Sequence, residues 1–375
     1  MLSLNRLLPK RNMKTLLSRW SSGNTAAPIL GCGSNVVDVF FRVRAMPVAG
    51  TKGYFQNPTK VVEGTVVGGV TLNHLSWAAA LGAPTGLLAL QGDDDLGTQI
   101  RQKLESMGVS TAHIKHGPEF ATSVSHILLD KDGERAIIMA PASTGTIVGD
   151  VFRKHFEEAI LADCKIATTE ISQLPLSGAQ TLLDLARSAH ALSFLDVDVP
   201  PSVAVGDAGL GNLKELYGCV SSCDVMKPTL EAAAELLSVA ASEGESCNPD
   251  DVDLPTSLAK VAEDLLRAYG PKLVAVTDGK RGCGLAIPGL SVEVAGFDGI
   301  HQVDSTGAGD AFFGGLVAGV YRMGLPSSED ELRAIGKVAG AAGGACCEVL
   351  GALPEEGISR ERIMEMVPEV TEWVE

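Results

Sequence analysis

From about Asp150 onward the chain alternates short apolar runs with stretches of helical spacing. "CKIATTE", "ALSFLDVD", "CDVMKP" and "KLVAVTDG" read as buried strands, each followed by a helix-forming stretch. Strands in that alternation build a parallel sheet covered by helices on both faces. Upstream, Asn73 to Leu81 reads as a helix, "ALGAPTGLLALQG" as a turn and a strand, and "DLGTQIRQKLESMGV" as an amphipathic helix. Two stretches break the alternation. "VSHILLDKDGERAIIMA" is a β-hairpin around Asp130-Lys131-Asp132-Gly133, and "GYFQNPTKVVEGTVVGG" alternates as short β. The expected fold is therefore α/β: a doubly wound, mostly parallel sheet with helices on both faces and a small β-sheet beside it. Ligands of such sheets bind at the carboxyl ends of the strands. The acidic "SEGESCNPDDVDLPTS" reads as a surface insertion.

Charge divides the chain. The formal net charge is −16, yet Asp38 is the first acid. The opening carries Arg6, Lys10, Arg11, Lys14 and Arg19, so the remainder stands at −21 (−16 less the leader's +5). A basic, Ser- and Leu-bearing leader without acids predicts an organellar transit peptide over residues 1–25, the alternative being a disordered leader. The address expected is the mitochondrion, with plastid or cytoplasm as alternatives, and residues 26–375 form one domain. A body so acidic argues against nucleic acid, which needs a basic surface. No apolar run reaches the roughly 20 residues that span a bilayer. The eight cysteines include no C-x-x-C pair and predict reduced thiols without structural zinc. Gly31-Cys32-Gly33 begins like a dinucleotide fingerprint, but Val36 stands where its third glycine belongs.

The chemistry concentrates in "VDSTGAGDAF", residues 303–312. Asp304 closes a short β-like stretch, Gly307 to Gly309 make a turn, and Phe312, Leu316 and Val320 follow at helical spacing. A helix opening on small residues offers uncovered backbone amides to an anion. Asp310, in the first turn, is a carboxylate expected to be ionised at neutral pH. An amide cradle beside a base suits transfer of a phosphoryl group to an alcohol; the alternative is a glycine turn with an ordinary capping acid.

"VDSTGAGDAFFGG" resembles the C-terminal signature of the ribokinase-like (PfkB) carbohydrate kinases, and the similarity extends over nearly the whole chain after the leader. "GGVTLNHLSWAAALGAPTGLLALQG" resembles the N-terminal signature through Gly68, Gly69, Asn73, Gly82 and Gly92. "GSNVVD" matches the opening substrate strand, "KIATTEISQLP" places Glu170 after a core strand, and "AVTDGKRGC" and "GALPE" resemble the nucleotide-side turn and the closing segment. The resemblance implies ATP-dependent phosphorylation of a sugar hydroxyl with Mg2+ and K+. Asp310 would be the catalytic base, and Gly307, Ala308 and Gly309 the anion hole. Asp38, Gly68, Gly69, Asn73 and Glu170 would hold the substrate. Thr277, Gly279, Lys280 and Gly282 would line the nucleotide, and Asp304 would belong to a monovalent-cation loop, the alternative being a turn-capping acid. Segments near 39–66 and 119–141 would form a lid that pairs two subunits into a homodimer. Within enzymes the alternative is a nucleoside kinase; outside them, a noncatalytic ligand-sensing or assembly protein with the same fold.

Several positions depart from the family pattern. Val70-Thr71 follow Gly68-Gly69 where many members carry lysine and glycine, and Val36 replaces an asparagine. Thr229 and Ala232 replace the Asn and Glu of a segment that organises Mg2+, with Glu231 adjacent. Gly340 stands where a larger adenine-contacting residue is common. His74 reads either as a substrate contact or as a helix-surface residue, Glu170 as a functional acid or a strand-end carboxylate, Lys280 as a phosphate neighbour or a solvated lysine, and Trp77 as core. No P-loop motif is present.

Overall fold

The apolar runs pair as β8 (Ile166–Glu170), β9 (Leu192–Val197), β10 (Val225–Pro228) and β11 (Leu273–Thr277), side by side and parallel. Their unbroken hydrophobicity has a direct cause. Successive side chains point to opposite faces, and here both faces are covered. Val225, Leu273 and Ala275 enter one core cluster, whereas Met226, Val274 and Val276 enter the other. The computed structural model describes residues 27–57, 59–132, 134–241, 257–355 and 357–368. The leader, 1–25, and residues 242–256 of the acidic insertion lie outside the described residues.

The rest of the sheet comes from the N-terminal part and the opposite edge. Strands β1 (Ile29–Cys32), β4 (Thr85–Gly92) and β5 (Ile114–Gly117) extend it beyond β8. Strand β12 (Cys283–Ile287) pairs antiparallel with β11, and β13 (Leu290–Val294) pairs antiparallel with β12 and closes the other edge. The order is β13-β12-β11-β10-β9-β8-β1-β4-β5. From β1 the chain builds outward through β4 and β5, then returns to β8 and builds the other way. A crevice opens at the carboxyl ends of the strands where that direction reverses, and here it lies between β1 and β8.

The lid is a separate four-stranded sheet: β2 (Val36–Arg42), β3 (Gly64–Gly68), β6 (Ser123–Leu129) and β7 (Arg135–Ala140), in the order β3-β2-β6-β7. It reaches slightly past the expected 39–66, because Val36 pairs with Gly68. At the hairpin turn the Asp130 carboxylate accepts the backbone N–H groups of Asp132 and Glu134 (2.9 and 3.0 Å). Strand β7 is an edge, and its Ile137, Ile138 and Met139 are exposed, Ile138 to 60%.

Candidate active site

Gly307 caps helix Ala308–Met323 in the left-handed region (φ 76°), and a side chain there would also collide with Ala352. First-turn amides of a helix lack intrahelical acceptors. The Ala308 N–H turns back onto the Ser305 carbonyl (3.2 Å) and the Ala311 N–H bonds the Gly307 carbonyl (2.8 Å); the amides of Gly309 and Asp310 lie between them. Asp304 anchors the turn. One oxygen accepts the Thr306 amide and hydroxyl (3.0 and 2.8 Å), the other the Gly351 amide (3.0 Å). These bonds outweigh burial and hold the Asp304 carboxyl below its usual range.

Asp310 is buried, and its Oδ2 accepts a 2.7 Å hydrogen bond from Asn73 Nδ2. The two meet because their helices, Val70–Ala80 and Ala308–Met323, touch at Gly314, where a Cβ would stand 2.5 Å from the His74 carbonyl oxygen. Asn73 Oδ1 is buried and has no protein donor. Between it and Asp38 lies Gly68, whose absent Cβ would sit 3.9 Å from Asn73 Oδ1 and 3.5 Å from Asp38 Oδ2. Gly69 (φ 113°) lets the chain turn hard against the Ser34 carbonyl, which then accepts the Leu72 amide at 3.1 Å. Two acceptor groups, Asp38 and Asn73, thus face one small space. Vicinal hydroxyls are donors that fit it.

Beneath the turn lies an ion pair. Lys227, at the end of β10, and Asp196, at the end of β9, are both fully buried, with Nζ 2.9 and 3.3 Å from the two carboxylate oxygens. Gly309 is small because a Cβ there would lie 3.1 Å from the same Nζ. Burial works against the Lys227 ammonium, but the charges of Asp196, Asp198 and Asp310 more than offset it, so its pKa is raised. Burial, then the charges of Asp198 and Asp196, push the Asp310 carboxyl well above its ordinary 3.8, against the pull of Asn73 and Lys227. Burial and the neighbouring acids thus work against ionisation of Asp310, while Asn73 and Lys227 favour it.

Thr277, Gly279, Lys280 and Gly282 line one cavity of about 660 Å3 together with Ala308, Gly309, Phe297 and Gly340. Gly282 (φ 96°) is required there, since a side chain would strike the backbone of Val294 to Gly296. Lys280 is exposed at the rim. Gly340 leaves its open side to the Phe297 ring (3.5 Å).

Other residues take different places. Glu170 is fully buried. Its oxygens accept the Ser34 amide and hydroxyl (3.1 and 2.9 Å) and the Gln173 amide (3.2 Å), so it fixes the loop after β1 from below. Burial raises it to about 7, Asp198 adds to the rise, and these bonds oppose it. His74 lies neither at the substrate nor on the surface. It is buried, Nε2 is 2.8 Å from Thr168 Oγ1, and its ring packs edge-on against Phe313 at 4.9 Å. Burial, helped by the Lys227 charge, drops its pKa to about 3. Trp77 is core, its Nε1 donating to the Ala352 carbonyl (2.9 Å). The Thr229 hydroxyl caps the next helix by accepting the Ala232 amide (3.2 Å), and Ala232 is buried. Sequence reasoning missed Asp196, Asp198 and Lys227. Their signal was charges at the ends of otherwise apolar parallel strands, where burial demands a partner.

The model of the pfkB family carbohydrate kinases matches residues 57–356. A ribokinase of Haemophilus influenzae is 25% identical over 292 residues, covering 77% of this chain and 85% of that protein. A fructokinase of Salmonella typhimurium is 27% identical over 269 residues, 71% of this chain and 80% of its own. The structure of Arabidopsis thaliana ribokinase complexed with ribose and ATP superposes with a TM-score of 0.67 at 19% identity, covering 91% of this chain and 99% of that one.

Proposed function

The chain belongs to the pfkB family of carbohydrate kinases, and we propose that it transfers the γ-phosphoryl group of ATP to a hydroxyl of a small sugar with Asp310 as base. The observation that carries this reading is the 2.7 Å bond between Asn73 and Asp310. It sets the carboxylate between the cavity that reaches Gly309 and the acceptors of Asn73 and Asp38. The sugar oxygen attacks the γ-phosphorus as the bond to the β–γ bridging oxygen breaks. ADP keeps that electron pair, and the hydroxyl proton passes to Asp310 Oδ1, the oxygen that Asn73 leaves open. The Gly309 and Asp310 amides hold the charge of the moving group. Gly68 keeps the sugar's seat open, and the lid excludes water over it. Mg2+, when bound with ATP, neutralises phosphate charge. It takes oxygen ligands, and the half-buried Asp198 carboxylate, just past the end of β9, is one such ligand. Asp304 supports a K+ requirement only through its place beside the turn, since its oxygens already hold Thr306 and Gly351.

Incubation with ATP, Mg2+, K+ and a panel of pentoses, hexoses and nucleosides tests the reading. Sugar-dependent ADP release is expected. Release with nucleosides alone would move the acceptor, and release with nothing would sink the reading.

The lid adds a partner. Exposed apolar side chains on an unpaired edge strand invite another strand, and Ile137, Ile138 and Met139 offer them on β7. The occupant proposed is a second copy of this chain. Ile138→Lys is expected to shift the species seen by light scattering from dimer to monomer; a wild-type monomer would refute the pairing.

A further inference from the structure

The segment that, by family resemblance, would organise the metal has no acid turned toward the site. Thr229 is occupied as a helix cap, Ala232 is buried and apolar, and Glu231 is exposed on the first turn of helix Leu230–Ala241. A kinase that works with Mg2+ still benefits from a carboxylate, because Mg2+ is commonly held through one or two carboxylates plus substrate phosphates and retained waters.

The neighbouring strand supplies one. Val197, the last residue of β9, pairs with Pro228, the last of β10, so Asp198 emerges beside Thr229. Asp198 is half-buried, and the Ser172 side chain lies close enough to favour its ionised form. The other charges around it have assigned partners. Asp196 gives both oxygens to Lys227, Asp310 is tied to Asn73, and Glu170 is spent on Ser34 and Gln173. Asp198 is the acid left over. A second observation points the same way. Asp198 is one of the acids around the Lys227 ammonium, whose Nζ lies against Gly309 at the nucleotide cavity.

Resting on the kinase reading above, we infer that Asp198 is the carboxylate through which this chain engages the divalent cation of the nucleotide, in place of the acid missing at position 232.

The probe is Mn2+, followed by electron paramagnetic resonance with ADP, alongside calorimetric binding of ADP in chelator. Asp198→Asn is expected to weaken Mn2+ in the ternary complex by about tenfold or more while leaving metal-free ADP binding unchanged, which also certifies the fold. Asp198→Glu should keep most of the Mn2+ affinity, and Glu231→Gln all of it. Wild-type Mn2+ affinity in Asp198→Asn, or a loss carried instead by Glu231→Gln, would overturn the assignment. Absence of any ADP binding to the wild-type chain would overturn the nucleotide reading itself.

Discussion

Asp310→Asn is expected to lower turnover by about a hundredfold to ten-thousandfold, the span that general-base catalysis contributes, with ADP and sugar binding retained. The amide keeps the shape and can still meet Asn73, but it cannot take the hydroxyl proton. The wild-type rate should fall as pH drops through a value well above 3.8, because burial and the charges of Asp198 and Asp196 raise Asp310; the variant should lose that limb. Stability should move oppositely. A carboxyl whose folded pKa lies above its unfolded one binds protons better in the native state. Its contribution is therefore present below the unfolded pKa and lost as pH rises toward the folded one. Asparagine removes that loss, so at neutral pH the variant should resist urea at least as well as wild type. Unchanged turnover in Asp310→Asn would refute the mechanism.

Lys227→Met has the second large expected effect, on the fold. It leaves Asp196 buried without its ion-pair partner, and breaking a buried pair from one side costs about 3–5 kcal/mol. Urea unfolding should show a loss of that size. Replacing both partners by apolar residues, Lys227→Met with Asp196→Leu, should recover most of it, because the carboxylate bonded directly to the ammonium goes with it. If the single variant unfolds like wild type, the pair does not hold the strand ends together. Activity should fall in both variants, since the ammonium is also one of the charges that pull Asp310 toward ionisation.

The sheet was legible because its cause is local: an apolar run buried on both faces looks the same wherever it pairs. The glycine turn was legible for a similar reason, since Gly307 and Gly309 are dictated by what lies within a few ångströms of their missing side chains. Long-range partners were not. Glu170 looked like a functional acid, yet its oxygens go to Ser34, 136 residues away in sequence. His74 offered two surface-facing readings and adopted neither, because only tertiary packing places Thr168 and Phe313 around it. Lys227 sat unnoticed in "CDVMKP", since a lone lysine declares burial only once Asp196 is known to lie opposite. The antiparallel edge β12–β13 fell outside the alternation that revealed the parallel strands.

The bond between Asn73 and Asp310 joins residues 237 apart in the chain. Closing a loop of that length carries an entropic cost that local contacts do not share, and topologies rich in distant pairings fold slowly. Asn73 and Asp310 therefore meet only after both ends of the domain have folded. A chain whose last hundred residues are not yet made has Asn73 and Asp38 but no Asp310 beside them. On the mechanism proposed above, completion of the fold and the onset of phosphate transfer are one event.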